Sequence, residues 1–444
     1  MGNGVKLDDG GAYEGAVDAI AVSGSNIYIS GSFTSAGGIA AKGIAKWNGS
    51  NWSTLGDGVG GGYVGAIAIS GNDVYVGGSF TTAGSLSAYG IAKWNGISWS
   101  ALGSGISGGS VKTIATSGND VYVGGYFTSA GGVVTNGIAK WNGSSWSALG
   151  SGVSGGYSTV NSIALSGNDV YVGGTFTVAG GISAKSIAKW NGSNWSALEN
   201  GVSGGYNEVN TIAVSGNDVY VGGAFATAGS VTAYSIAKWD GSTWSALGSG
   251  IKSGSIIGLV EAISIRGTDI YAGGIFDSVG GAPANNIAKW NGSSWSALGS
   301  GLNDVVYAVA ASGDNIYVGG EFTTAGGKPS LNFARYSTGT SSIEDSPDAT
   351  TKPAAFDLRQ NYPNPFNPTT RIAYTLPTGG LTALKIYDLT GRLVQTLVNR
   401  PQPAGRYEAT FNGNTLSSGM YFYRLSVAGN SGTFTKTMKM LLVK

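Results

Sequence analysis

Val160-Asn161-Ser162-Ile163-Ala164-Leu165, Val170-Tyr171-Val172-Gly173-Gly174-Thr175-Phe176, Ser186-Ile187-Ala188-Lys189-Trp190 and Trp195-Ser196-Ala197-Leu198 decide the fold. Each is a short run rich in β-branched and aromatic residues. Ser166-Gly167-Asn168-Asp169 joins the first two and Asn191-Gly192-Ser193-Asn194 the last two, both tight-hairpin signals. The stretch therefore reads as four strands, and it recurs along the chain. All 12 Trp fall into pairs five residues apart: Trp47/Trp52, Trp94/Trp99, Trp141/Trp146, Trp190/Trp195, Trp239/Trp244 and Trp290/Trp295. Tyr and Phe, also five apart, mark seven copies: Tyr28/Phe33, Tyr75/Phe80, Tyr122/Phe127, Tyr171/Phe176, Tyr220/Phe225, Tyr271/Phe276 and Tyr317/Phe322. Gly-Gly lies between them in six copies, and Ser30-Gly31 in the first. No segment carries sustained helical periodicity. Four strands per repeat, seven times over, predicts an all-β chain built on a seven-bladed β-propeller.

The seventh copy ends in Phe333-Ala334-Arg335-Tyr336 and lacks a Trp-Ser-Ala-Leu strand. Gly4-Val5-Lys6-Leu7 resembles the end of a repeat. Val5, Lys6 and Leu7 are thus expected to form the outer strand of the last blade, closing the ring and removing an open edge. Given to a neighbouring molecule instead, the same strand would make a polymer.

Composition narrows the function. Gly is 78 of 444 residues and charged residues are 11%, yet 42% are hydrophobic, enough apolar surface for a packed fold. Net charge is +1, which gives no footprint for nucleic acid. There is no Cys and no His, which removes disulfides, thiol nucleophiles, His-dependent triads and zinc sites with N or S ligands, and no cofactor is expected. No apolar run is long enough for a membrane-spanning helix. No signal peptide opens the chain, so it reads as a mature or trimmed form.

The repeats resemble the kelch family. Val170–Gly174 fits its second strand ending in Gly-Gly, and Trp195–Leu198 its fourth strand with a Trp. The resemblance implies a propeller over residues 1–337 and leaves function open, because such propellers do many jobs. Residues 338–353 read as a linker: eight of the 10 Pro lie between Pro347 and Pro403. Charge changes there as well. Residues 1–340 hold 14 Lys+Arg against 18 Asp+Glu, whereas residues 341–444 hold 11 against 6.

Residues 354–444 read as about seven short strands in an Ig-like β-sandwich. They open with Asn361-Tyr362-Pro363-Asn364-Pro365-Phe366-Asn367-Pro368. The turn Asp388-Leu389-Thr390-Gly391-Arg392, the strand Ser418-Gly419-Met420-Tyr421-Phe422-Tyr423 and a basic-apolar C-terminus follow. In that order they resemble the type A C-terminal sorting domain of type IX secretion. The resemblance implies export to the outer-membrane surface or beyond, with the secretion machinery as partner. It puts the recognition motif on Asn361 to Pro368, Gly391, Gly419 and Tyr421.

Several residues are candidate sites. Trp52, Trp99, Trp146, Trp195, Trp244 and Trp295 fit either inter-blade packing or sugar-binding platforms. Lys46, Lys93, Lys140, Lys189, Lys238, Lys289 and Arg335 make a ring of cations. The simpler reading pairs them with hairpin acids Asp73, Asp120, Asp169, Asp218, Asp269 or Asp314. Acids that break the repeat are not explained by packing: Glu321, Asp277, Glu199, Glu208 and Glu261. Glu321 and Asp277 come from adjacent blades, as a glycosidase pair would require. Asn48, Asn142, Asn191 and Asn291 begin Asn-Gly-Ser, which serves equally as a glycosylation acceptor and as turn chemistry. The expectation is a non-enzymatic extracellular scaffold or binding protein. The alternatives are a glycan- or matrix-binding module, a self-assembling fibre subunit and a glycoside hydrolase.

Overall fold

The computed structural model describes residues 4–7, 15–337, 355–361, 364–414, 416–429 and 432–443. The chain divides into two compact units, Met1–Pro347 and Asp348–Lys444. The expected linker, 338–353, lies outside the described residues.

The first unit repeats one antiparallel sheet seven times. In the fourth copy the strands are Val160–Ser166, Asp169–Gly174, Ile187–Trp190 and Trp195–Ala197, in that spatial order. The innermost strands follow one another around a ring, and Ala16–Ser23 of the first sheet packs beside Val306–Ser312 of the seventh. Among the described residues the seventh sheet has three strands.

The Gly-Gly dipeptide, Ser30-Gly31 in the first blade, is where neighbouring blades approach most closely. A Cβ on Gly173 would lie well inside contact of Val209 and Ile212 on the next inner strand, and one on Gly174 would strike the Thr159 carbonyl. Gly77, Gly124, Gly222, Gly273 and Gly319 face Val111, Val160, Val260, Val306 and Val17 in the same way. The seven Phe of the Tyr/Phe pairs are buried, from Phe33 to Phe322.

A second, smaller sheet sits at each blade junction, which the four-strand reading missed. Val153–Ser154, beyond the Trp strand, crosses to pair with Val178–Ala179 in the long loop of the next blade. This corrects the closure. Val5–Lys6 pairs with Ser35–Ala36 of the first blade and is not the outer strand of the last. Val5 N–H donates to the Leu331 carbonyl (3.2 Å), as Val153 N–H does to Asn136 (2.9 Å). The Asn332 amide also donates to the Val5 carbonyl (2.9 Å). Gly4-Val5 therefore corresponds to Gly152-Val153, which follows the Trp strand instead of forming it. The N-terminal segment still joins the last blade to the first, by the crossover route. Leu7 lies just past this strand, half-buried.

The second unit is a sandwich. Asp357–Leu358, Thr369–Leu376 and Gly405–Asn412 form one sheet. Gly380–Tyr387, Leu393–Gln402, Gly419–Gly429 and Gly432–Leu442 form the other. Its core holds Phe366, Ile372, Tyr374, Leu384, Phe411, Tyr423 and Leu442.

Candidate functional site

Each innermost strand carries a β-bulge near its start. In the fourth blade Val160 pairs with Gly174 and Ser162 with Gly173, leaving Asn161 out of register. Bulges re-aim side chains. The out-of-register residues are Asp18, Gly65, Lys112, Asn161, Asn210, Glu261 and Tyr307, and all seven line one cavity of about 360 Å³ where the inner strands converge. The residue before each of them is Val in every blade, from Val17 to Val306. The chain thus repeats the packing residue seven times and varies the one beside it.

The variation builds an acidic arc. Glu208 and Glu261 line the cavity, and Glu321 sits close enough to Asp18 and Tyr307 to shift both. Neutral donors hold the carboxylates in place. The Asn161 amide donates to Glu208 Oε1 (3.0 Å), Asn210 donates to Glu261, and the Tyr307 hydroxyl donates to Glu321. Lys112 lines the same cavity and acts on Asp18 and Glu261. Burial, helped by Glu321 and opposed by Lys112, pushes the Asp18 carboxyl up to about 6. Burial, helped by Glu208 and opposed by Lys112 and Asn210, pushes Glu261 up to about 7. Burial and the same acids also raise the Tyr307 hydroxyl. Tyr63 covers the gap left by Gly65, its ring lying beside that glycine.

At the bulged end of the sheets, blades three to six carry exposed apolar side chains. Tyr126 pairs with Ser110 and Ile275 with Leu259, at the bulged end of their sheets. Tyr157 and Tyr206 each stand three residues before an inner-strand Val and are 83% and 84% exposed. Ile256 is exposed as well.

The other expected sites resolve differently. Glu321 and Asp277 are not a pair: both Asp277 carboxylate oxygens accept from Gly254 N–H (2.9 and 2.8 Å), tying down a loop beside a separate cavity of about 440 Å³. The six outer-strand Trp are packing residues. Trp146, Trp195 and Trp244 are buried, and Trp52, Trp99 and Trp295 half-buried. The indoles of Trp99, Trp146, Trp195, Trp244 and Trp295 donate to the carbonyls of Leu55, Leu102, Leu149, Leu198 and Leu247 on the preceding blade, at 2.8–3.2 Å. Each tilts against its partner Trp, and Trp52 meets Phe333 edge-on at 5.7 Å. These indoles are committed to the blade junctions and offer no open platform.

Five lysines of the expected ring pair with hairpin acids, from Lys93–Asp73 (3.1 Å) to Lys289–Asp269 (2.7 Å). Lys46 lies over the Tyr28 ring instead. Asp314 sits one place earlier in its hairpin and pairs with Arg266 of the sixth blade (3.2 Å). Asn48, Asn142, Asn191 and Asn291 each accept two backbone N–H groups of their own turns, as a tight hairpin requires. Glu199 occupies an outer turn at φ 47°, where Gly56, Gly103, Gly150, Gly248 and Gly299 stand in other blades.

In the second unit the opening motif is clasped to the last strand. Asn364 Oδ1 accepts from Leu441 N–H (2.8 Å). Phe366 N–H donates to the Leu441 carbonyl, and Val443 N–H to the Phe366 carbonyl (both 2.9 Å). The Asn361 side chain is buried and donates to Thr370 (2.9 Å). Tyr362 and Pro363 lie outside the described residues. Asn367 is exposed, and the Pro368 carbonyl accepts from Gly413 (2.8 Å).

Comparison with known proteins fits this division. Residues 360–440 match the family described as secretion system C-terminal sorting domain. The chain carries a type IX secretion sorting tail. Residues 108–269 match the Rax2 C-terminal β-propeller domain, and residues 314–341 a β-propeller domain of unknown function. No curated protein matches the chain.

Among solved structures, one similar to it is PorZ, a surface component of the type IX secretion system of Porphyromonas gingivalis. Identity is 15% and the TM-score 0.44, over 96% of this chain and 65% of PorZ, so the chain spans less than two thirds of that protein. Another is the β-propeller domain of the Trilobed protease from Pyrococcus furiosus, at 9% identity and TM-score 0.42, over 72% of this chain and 95% of that one.

The sorting tail sends the protein to the cell surface or the extracellular space and implies contact with the type IX machinery. The expected motif residues have defined places in it. Gly391 adopts φ 81° in a turn whose Asp388 carboxylate accepts from Thr390 and Arg392, which holds that carboxyl down at about 2. Tyr421 is buried, and its hydroxyl donates to the Ser417 carbonyl four residues back (2.9 Å), a tyrosine-corner arrangement. Gly419 begins the same strand.

Sequence reading missed Asp18, Lys112, Asn161, Asn210 and Tyr307. The available signal was the position after the repeated Val, where the seven copies diverge.

Proposed function

We propose that this exported propeller is a non-enzymatic binding scaffold whose recognition surface is the mouth of its central channel. One observation carries the reading. Within a repeat that keeps its Val, Gly, Phe and Trp for packing, the bulge position changes character around the ring and places two carboxylates, a lysine, two amides and a tyrosine in one cavity. We also read the repeat as kelch-like, from its Gly-Gly and Trp strands.

Retention of the labelled full-length protein on the surface of its producing cells tests this. A Glu208→Gln/Glu261→Gln/Glu321→Gln variant is expected to lose at least tenfold in retention. Unchanged retention would move the recognition surface elsewhere.

A second reading, glycoside hydrolysis, has one specific support. Glu261 holds its proton near neutral pH beside Glu208, as a general acid next to a second carboxylate does. It predicts cleavage of a polysaccharide that Glu261→Gln abolishes, whereas the scaffold reading predicts binding without turnover.

A further inference from the structure

We propose that the channel mouth is a socket for one basic side chain, a Lys ammonium or Arg guanidinium presented on a projecting segment of a partner protein. This rests on the reading of the channel as the recognition site and names what enters it.

Charge is the first argument. Asp18, Glu208 and Glu261 line the cavity with Lys112, which acts on Asp18 and Glu261, and Glu321 stands beside Asp18 and Tyr307; the four carboxylates come from four blades. Like charges gathered in a partly dry cavity repel, and an entering cation relieves that repulsion. A neutral sugar brings hydroxyl donors but leaves the repulsion in place. Hydrogen bonding is the second argument. Asn161, Asn210 and Tyr307 each give a neutral donor to one carboxylate. A carboxylate accepts about four hydrogen bonds, so capacity remains for a many-donor cation, and such charge-assisted bonds are the stronger kind. The rings of Tyr63 and Tyr307 line the same cavity and supply faces on which a cation rests favourably.

Size and surroundings select a protein segment. A cavity of about 360 Å³ admits a side chain. At the bulged end of blades three to six Tyr126, Tyr157, Tyr206, Ile256 and Ile275 are exposed, Ile275 on the lining of the separate cavity. Exposed apolar side chains at this end suit the residues flanking the basic one. A free polyamine would leave them unused.

Fluorescence anisotropy on the full-length protein tests the proposal with a labelled Gly-Leu-Arg-Leu-Gly peptide, the same peptide with norleucine for arginine, and spermidine as competitor. The arginine peptide is expected to bind at pH 8 and the norleucine peptide at least tenfold more weakly. Glu208→Gln/Glu321→Gln, which keeps side-chain volume, is expected to weaken the arginine peptide at least tenfold. Tyr157→Ser/Tyr206→Ser should weaken the peptide and leave spermidine unaffected. Binding should also fall at least tenfold between pH 8 and pH 5. There Asp18, facing Glu321 and Lys112, and Glu261, facing Glu208, Lys112 and Asn210, take up protons. Equal binding of the norleucine peptide, or indifference to the Gln variant, would overturn the proposal. Binding of spermidine without the peptide would overturn the protein source. If cell retention depends on the channel carboxylates while the arginine peptide fails to bind, the ligand class is wrong and the recognition site stands. If retention ignores them, the site itself is wrong.

Discussion

Glu261→Gln should make the propeller more stable at pH 8 and leave it nearly unchanged at pH 4. In the unfolded chain a Glu carboxyl ionises around its ordinary value of 4.5, and in the channel Glu261 is pushed up to about 7. Between those values the folded state holds a proton that the unfolded state has released. Stability therefore falls as pH rises through that window, and above it the full cost of the buried charge is present. A shift of this size corresponds to about 3 kcal/mol. Gln removes the charge, keeps the volume and retains an oxygen to accept the Asn210 amide. Chemical denaturation of variant and parent at pH 4, 6 and 8 measures the difference. The expected gain is about 2–3 kcal/mol at pH 8, shrinking towards zero at pH 4. A gain independent of pH, or a loss at pH 8, would refute the description of Glu261 as a charge held among carboxylates.

Other substitutions probe the ring and the tail. Ser30 stands where six blades have Gly, and its hydroxyl is fully buried with no hydrogen-bond partner among the described residues. Ser30→Ala should therefore stabilise the propeller by about 1–3 kcal/mol in denaturant titration. Gly173→Ala drives a methyl into Val209 and should cost about 1–3 kcal/mol in the same assay, more than Lys189→Met, which removes a half-exposed ion pair worth about 1 kcal/mol or less. In the sorting tail, Phe366→Ala empties the core beneath the clasp on the last strand. The domain should lose about 3–5 kcal/mol, and cell fractionation should show the protein retained inside the outer membrane.

The propeller was legible because its repeat is written in residues that pack blade against blade. A Cβ on Gly173 would crowd Val209, and the Trp195 indole donates to the Leu149 carbonyl of the preceding blade. Such constraints recur every blade and show as a period. The closure was misread because Gly4-Val5 matches the end of a repeat equally well as outer strand or as crossover. The pairing with Ser35–Ala36 and the hydrogen bonds of Val5 to Leu331 and Thr34 to Lys6 separate the two. The expected pairing of Glu321 with Asp277 failed for a related reason. Adjacency of blades does not fix depth or direction, and the Gly254 amide claims the Asp277 carboxylate. The channel itself was half legible. Glu208, Glu261 and Glu321 stood out as irregular acids, but Asp18 and Lys112 join them only through bulges that depend on the strand register. In the tail, the opening motif and the C-terminal residues looked like two separate signals. Asn364 and Phe366 bind Leu441 directly, so they are two sides of one contact.

The most direct test of the channel as the recognition surface is carbodiimide footprinting. Asp and Glu labelling would be read by mass spectrometry on the full-length protein, alone and bound to the surface of its producing cells. The account predicts that Asp18, Glu208, Glu261 and Glu321 are protected on binding, while Asp73 and Asp120, in the hairpins at the far end of the inner strands, and Asp240, in an outer hairpin, label as before. Unchanged labelling of the four channel acids, with protection confined to those hairpins, would contradict it.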